Sequence, residues 1–592
     1  MPAPTTTLPE RLLARCKDTP NAIAYLHRGD DGKWLPVTWH TVAQRAIGIA
    51  RGLSLLGVQA GDRVAIMLPT SPEWEYCQQA VLMLGATVVG IDAHDAPSNL
   101  HHILELTQPR ALVTGNERQV ALIRETWRAP EIVVVAEPEV PHPDIHALAD
   151  FLQTLDTGAT PPSAPSPDDI ATIVFTSGST GTPKGIAYTH RQVALACDAI
   201  LDRFPSISNE TTLVCWLPLS NLFQRIINLC AIVCGARSYF VSNPQDIVRL
   251  LPEIQPSLFI GVPRFFEKLH AGIMAEVAKQ PAPVRLLIAS AWTTGMKTAS
   301  MQRSHGQVSL PWRALSMLAN PILARLRAVM GQRMQFMVSG SAPLPSWLMD
   351  RFHGLGWLVL EAYGISENVM PVALNTPTHY RFGSVGRALP GNELLVAEDG
   401  ELLIRGDGVF SGYYGTDAHD TPIDSEAYLH TGDFARLDAD GYVWLEGRKS
   451  EVFKTSTGRR IAPAPLEAAL KQIDYVDHAI IVGRDRPFPM AIITISPEHE
   501  MGKQVQTPEG QKTISSDIAR ACEAFTPYQR PGAVIASTRP LGIATGELTA
   551  NLKIRRKQVE TRFEREIERA YEAPRLSPDT DIRTNPPVIL TP

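Results

Sequence analysis

Apolar and polar positions alternate between two periods along the first 140 residues. LPERLLARC (8–16) and TWHTVAQRAIGIARGLSLLGV (38–58) repeat apolar side chains at helical spacing, with AIAYLHR (22–28) as a short strand between them. Thr38 or Thr41 is placed to cap the second helix. RVAIMLP (63–69), TVVGID (87–92), ALVTG (111–115) and EIVVVAE (131–137) are continuous apolar runs of strand length, and WEYCQQAVLMLGA (74–86) is helical between the first two. Buried strands alternating with helices predict parallel α/β layers.

After a Pro/Ser-rich loop (157–169) the α/β pattern resumes and runs to about residue 395. Residues 400–447 become rich in strands and turns. The pattern then restarts with EVFKTS, PLEAALKQI, HAIIVGR and AIITISP, so a domain boundary is expected between residues 446 and 450. The expected division is a large α/β domain over 1–447, a small α+β domain over 448–575 and a flexible tail over 576–592. The basic stretch 313–333 has two readings: a peripheral membrane-docking helix, or a helix with one face on the core and its arginines in solvent. Pro321 interrupts it, and the second reading is the ordinary one.

Composition narrows the class. Hydrophobic residues make up 44% and charged residues 20% of 592, enough for large cores and against global disorder. A net charge of −6 gives no general attraction to nucleic acid or to an anionic membrane, and leaves only a local basic patch open. The seven cysteines are odd in number and contain no CxxC pair, which argues against a disulfide framework and for a reducing cytoplasm. The first twenty residues lack a charged segment followed by an apolar one, so no signal peptide is expected, and no apolar run approaches the length of a bilayer span.

The sharpest chemistry lies in TIVFTSGSTGTPKG (172–185). An apolar strand delivers a loop of Thr176, Ser177, Gly178, Ser179, Thr180 and Gly181, followed by Lys184. Backbone N–H groups at close approach, several hydroxyls and one ammonium suit a polyphosphate. The Walker pattern GxxxxGK[ST] is absent. The bland alternative, an exposed linker, fits poorly with the preceding buried strand.

This loop resembles the phosphate-loop signature of the adenylate-forming (AMP-binding) enzymes, and further segments in order extend the resemblance over about residues 35–560. WLPLSNLFQR (216–225), GVPRFFEK (261–268) and GELTANLK (546–553) are most similar to long-chain fatty acyl-CoA synthetases. SGSAPL (339–344), YGISE (363–367), HTGD (430–433) and Gly447-Arg448 match the other family segments. The resemblance implies a multi-layer α/β N-terminal domain with a β-barrel-like part, a mobile C-terminal domain, and an active site between them.

It also implies roles. Thr176 to Gly181 and Lys184 would hold the β- and γ-phosphates of ATP, and Gly340, Ser341 and Ala342 the adenine side, with Tyr363 and Gly364 against the ring. Glu367 would help bind Mg2+, Ser366 would reach the α-phosphate, and Asp433 with Arg448 would hold the ribose. Lys553 would stand between the attacking carboxylate and the α-phosphate. Asn221 and Arg225 would lie toward acid and thiol, and Lys454 and Gly458 along coenzyme A, with Ser450 as the hinge. Taken singly these have bland readings: Asp433 could close a turn, Tyr363 could fill a core, and Lys454 could be a plain surface lysine. Order and spacing carry them as a set.

Two positions depart from the pattern. Asn221 stands where the long-chain group has histidine, and Ser450 where the hinge is Asp or Lys. The implied reaction is ATP-dependent activation of a carboxylic acid, a medium- or long-chain fatty acid, followed by transfer to coenzyme A. The alternatives are transfer to the phosphopantetheine of an acyl or peptidyl carrier protein, and a non-catalytic nucleotide-binding protein.

Overall fold

A computed structural model describes residues 4–93, 95–127, 130–139, 144–153, 165–176, 182–416, 421–497, 499–542, 545–548, 554–572 and 586–590. The chain divides into two compact units: Met1–Pro343 with Leu348–Leu394 and Ile404–His430, and Leu344–Trp347 with Leu395–Leu403 and Thr431–Pro592. Within the first unit a seven-stranded sheet runs in the order His146–Ala147, Ile132–Val135, Ala111–Thr114, Arg63–Met67, Thr87–Gly90, Ile170–Thr176, Lys184–Thr189. All neighbours are parallel except the last pair, an antiparallel hairpin. The continuous apolar runs follow from this topology, because a parallel strand covered on both faces has no polar side to show.

A second sheet of the same unit brings Leu258–Gly261, Phe336–Ser339 and Val359–Tyr363 side by side in parallel. Its register pairs Gly261 with Ser339 and Ser339 with Glu361, so three motif segments leave neighbouring strands at their carboxyl ends. Local signals fix the helices between strands. Thr38 accepts from the Thr41 amide at the start of Trp39–Leu55, Ser71 caps Pro72–Met83, and Thr189 forms a reciprocal capping box with Gln192 at the start of His190–Arg203.

Where a barrel-like part was expected, four strands (Glu393–Val396, Glu401–Arg405, Leu429–Leu437, Val443–Arg448) form a sheet in linear order. In the second unit, Val476–Val482, Met490–Ile495, Val534–Ser537 and Val588–Leu590 form another four-stranded sheet. Alternate residues face opposite cores: Ile481, Ile493 and Val534 meet Leu466, Ile514 and Ile518, while Ile480, Ile492 and Ile535 meet Val559 and Phe563.

One expectation is corrected here. Residues 588–590 are not loose tail, because the apolar Val-Ile-Leu run pairs in parallel with Val534–Ala536, and the Ser515 hydroxyl donates to the Pro586 carbonyl at 2.7 Å. In the helix Leu310–Arg327, which contains Pro321, Ala319 and Leu323 are buried on one face and Arg313 and Arg325 are exposed, as the ordinary reading expects, while Leu310, Met317 and Leu318 also face solvent.

Candidate active site

The hairpin that carries the glycine-rich loop sets the geometry of the first unit's site. Thr176 and Lys184 face each other across its two strands, so the loop opens and closes at one point of the sheet edge. Ser177, Gly178, Ser179, Thr180 and Gly181 lie outside the described residues. The returning strand is tied on both sides. The His102 ring nitrogen lies 2.9 Å from the Pro183 carbonyl, and the Tyr414 amide donates to the Gly185 carbonyl at 2.8 Å. Glycine leaves room there, since an added Cβ at Gly185 would sit 3.2–3.3 Å from Phe175 and Tyr414, tighter than ordinary contact.

Lys184 does not stand alone. Its ammonium sits over the Tyr413 ring, 4.3 Å from the centroid, a cation–π contact. The Tyr413 hydroxyl donates to Glu367 Oε1 at 3.0 Å. The phosphate-loop lysine and the YGISE carboxylate are thus joined through one phenol. Backbone bonds hold this arrangement: the Phe410 amide donates to the Glu367 carbonyl at 2.9 Å, and Ile186 forms an antiparallel bridge with Tyr413. Tyr188, fully buried, donates its hydroxyl to the Ser366 carbonyl. Burial and then the Glu367 charge push the Tyr413 phenol far above its ordinary pKa, and the same two causes raise Tyr188, so both stay protonated donors.

The sequence reading missed Tyr413 and Tyr188. The signal was the GYY at the end of 400–414, taken only as strand and turn. The turn after Phe336–Ser339 is strained at an unexpected place: Ser341 rather than a glycine takes a left-handed conformation, φ 76°. Gly340 donates its amide to the Gly261 carbonyl at 3.1 Å, and an added Cβ there would meet the Phe223 ring at 3.0 Å. Ala342 follows in this exposed turn. Tyr363 ends its strand buried, and Gly364 follows exposed.

Arg225 is buried among side chains of its own unit. It is 3% exposed; its guanidinium donates to Gln78 Oε1 at 2.8 Å and to the Thr172 hydroxyl at 3.0 Å, and lies over the Trp74 ring at 5.0 Å. On the same helix Asn228 donates to Glu75 Oε1 at 2.8 Å, and Gln78 donates to the other Glu75 oxygen at 3.1 Å. Burial lowers the Arg225 pKa to about 10 and raises that of Glu75, against their mutual attraction. This network makes Arg225 a tie between Leu222–Cys234, Pro72–Met83 and the loop-bearing strand. Asn221, at the N-terminus of that helix, is half-buried and does not cap it through its side chain.

In the second unit Asp433 and Arg448 face each other across the hairpin of Leu429–Leu437 and Val443–Arg448, with Nε and Oδ1 2.8 Å apart. Asp433 is 5% exposed while its partner is half in solvent. Ser450 lies in the following turn, where its carbonyl accepts from Arg484 at 3.4 Å. Lys454 is exposed, and Gly458, φ 77°, closes a tight turn whose amide donates to the Thr455 carbonyl at 2.9 Å. Lys553 lies outside the described residues, but the segments beside it are anchored. The Arg555 amide donates to the Glu547 carbonyl at 2.7 Å, and Arg556 pairs with Glu467 at 2.7 Å.

Among the described residues no group of three or more His, Cys, Asp or Glu side chains is arranged to hold a metal ion. A single half-exposed carboxylate, Glu367, does fit Mg2+ bound mainly through a nucleotide's phosphates, since that ion often takes only one or two protein carboxylates.

Comparison with known proteins identifies the family and the fold. Residues 12–414 match the AMP-binding enzyme family, and residues 451–575 match the AMP-binding enzyme C-terminal domain. The chain is 30% identical over 575 residues to the long-chain-fatty-acid–CoA ligase FadD15 of Mycobacterium bovis, covering 94% of this chain and 95% of that protein. It is 28% identical over 488 residues to the long-chain-fatty-acid–CoA ligase ACSBG1 of Mus musculus, covering 78% and 67%. Among solved structures, the adenylation domain of a carboxylate reductase from Mycobacterium chelonae superposes with a TM-score of 0.78 at 21% identity, over 96% of this chain and 92% of that one. The anthranilate CoA ligase AuaEII, in complex with anthranoyl-AMP, gives 0.73 at 20% identity over 95% and 98%. The chain belongs to the AMP-binding enzyme family.

Proposed function

We propose that this protein is an AMP-forming acyl-CoA synthetase, an ATP-dependent acid–thiol ligase acting on a medium- or long-chain fatty acid. The observation that carries the reading is the Lys184–Tyr413–Glu367 chain at the mouth of the glycine-rich hairpin. The names of the relatives support the acid class.

The reaction has two steps. A carboxylate oxygen attacks the α-phosphorus of ATP; the bond from that phosphorus to the bridging oxygen breaks and pyrophosphate leaves. The thiol sulfur of coenzyme A then attacks the acyl carbon, AMP departs, and the thiol proton goes to solvent. Catalysis of the first step is positioning plus neutralisation of charge. Lys184 exchanges its contact with the Tyr413 ring for the β- and γ-phosphates, beside the hydroxyls and amides of 176–181. Tyr413, kept protonated, holds one Glu367 oxygen and leaves the other for Mg2+. When bound, that ion neutralises phosphate charge. Ser366 reaches the α-phosphate, Tyr363 and the Gly340–Ser341–Ala342 turn hold adenine, and Asp433 takes the ribose hydroxyls, with Arg448 beside it. Lys553 supplies a second ammonium, Ser450 serves as the hinge between the domains 1–447 and 448–575, and Lys454 and Gly458 face coenzyme A.

The test is pyrophosphate release from ATP and Mg2+ across a panel of carboxylic acids, followed by supply of coenzyme A or a holo-carrier protein. Release that rises with alkyl chain length and acyl-CoA as product are expected. Acyl transfer to the carrier alone would favour the carrier-protein reading, and ATP binding without release across the panel would reduce the protein to a nucleotide binder.

A further inference from the structure

The helical hairpin of Ala282–His305 and Leu310–Arg327 is apolar on its outward face as well as its buried one. At 3.6 residues per turn, Leu310, Ala314, Met317, Leu318 and Pro321 share one face of the second helix, opposite the buried Ala319 and Leu323. That apolar face is turned to solvent: Leu310 is 77% exposed, and Met317 and Leu318 are each 74% exposed. On the first helix Leu286 is 72% exposed. A surface helix of a water-soluble protein normally turns polar residues outward on that face.

Charge singles out the same segment. Between residues 277 and 349 there is no Asp or Glu, while Lys and Arg occur eight times, in a chain whose net charge is −6. Arg313 and Arg325 flank the apolar face, are exposed, and have no carboxylate partner among the described residues. We propose that this hairpin docks on the surface of an anionic lipid bilayer, with Leu310, Met317 and Leu318 in the acyl boundary and Arg313 and Arg325 on headgroup phosphates. No helix among the described residues is long and apolar enough to cross a membrane, so the contact is one of lying on the surface. A second copy of the chain is the poorer occupant. A two-fold interface is self-complementary and would set one acid-free basic hairpin against another.

The experiment is flotation of the full chain with vesicles of equal parts phosphatidylcholine and phosphatidylglycerol, against phosphatidylcholine alone. Binding to the anionic vesicles that weakens as salt rises is expected. Met317→Gln with Leu318→Gln lowers the partition at least about tenfold, and Arg313→Gln with Arg325→Gln lowers it about fivefold per arginine. Both variants keep the wild-type circular dichroism and melting curve, because the four positions are exposed. Absence of vesicle binding, or equal binding by wild type and both variants, overturns the proposal. A dimer in sedimentation velocity that Met317→Gln with Leu318→Gln dissociates would give this face to a second copy and overturn it equally.

Discussion

Lys184 and Arg225 are two cations from two motif segments of the same unit, and each lies over an aromatic ring: Tyr413 at 4.3 Å and Trp74 at 5.0 Å. Their surroundings separate them. Arg225 is sealed in, with hydrogen bonds to Gln78 and Thr172 and with Glu75 near by. Lys184 is exposed at the end of a hairpin, held by a ring that it can leave for a stronger partner. A buried charge depends on the partners that the fold supplies, and removing one of them is costly. An exposed one resting on a π face keeps its hydrogen-bond donors for phosphate. The same residue chemistry is therefore structural in one place and available in the other.

The contrast can be broken from either side. Removal of the buried partner has the largest effect: Arg225→Ala leaves Glu75 and Gln78 without their cation and donor, and should cost about 3–5 kcal/mol in denaturant unfolding. A loss below 1 kcal/mol would mean that the network is not a structural tie.

Acid sharpens the buried side. Burial lowers the pKa of His190 to about 4 from 6.5, outweighing Asp169 and Glu10, and His270 and His353 move the same way to about 4. The unfolded chain therefore takes up these protons first. The stabilisation is complete above pH 6.5 and is lost as pH falls from 6.5 toward 4. For His190 the loss between pH 7 and 5 is about 2 kcal/mol. His190→Gln should flatten that part of the stability profile; an unchanged slope would show that His190 is not held neutral.

Tyr413→Phe is the mildest change. It keeps the ring under Lys184 and deletes only the bond to Glu367, so pyrophosphate exchange should fall about fivefold, near 1 kcal/mol, with melting unchanged. No change in exchange would show that the phenol does not position Glu367.

Much of this was legible in the chain. The strands at 63–69, 87–92, 111–115 and 131–137 were readable because parallel strands buried on both faces leave unbroken apolar runs. Thr38 was readable as a cap because its hydroxyl meets the third amide of its helix. Tyr413 was not, because its partners Lys184 and Glu367 are distant in sequence and only the sheet edge and the bridge at Ile186 bring them together. The surroundings of Arg225 were hidden for the converse reason: a motif gives residue type and spacing, whereas the direction of a side chain is set by packing, here against Trp74 and Gln78. The strand Val588–Leu590 was hidden by the proline-rich composition before it, and the solvent-facing leucines of Leu310–Arg327 by a pattern that cannot say which face is inward.

The most direct measurement of the central claim is acid-dependent ATP–pyrophosphate exchange by Lys184→Ala, with a melting curve on the same sample. Loss of exchange by about a hundredfold or more with wild-type melting is expected, since the ammonium acts on phosphate charge and supports little of the fold. Exchange at the wild-type rate, or a loss matched by collapse of the melting transition, would contradict the assignment of this hairpin as the phosphate site.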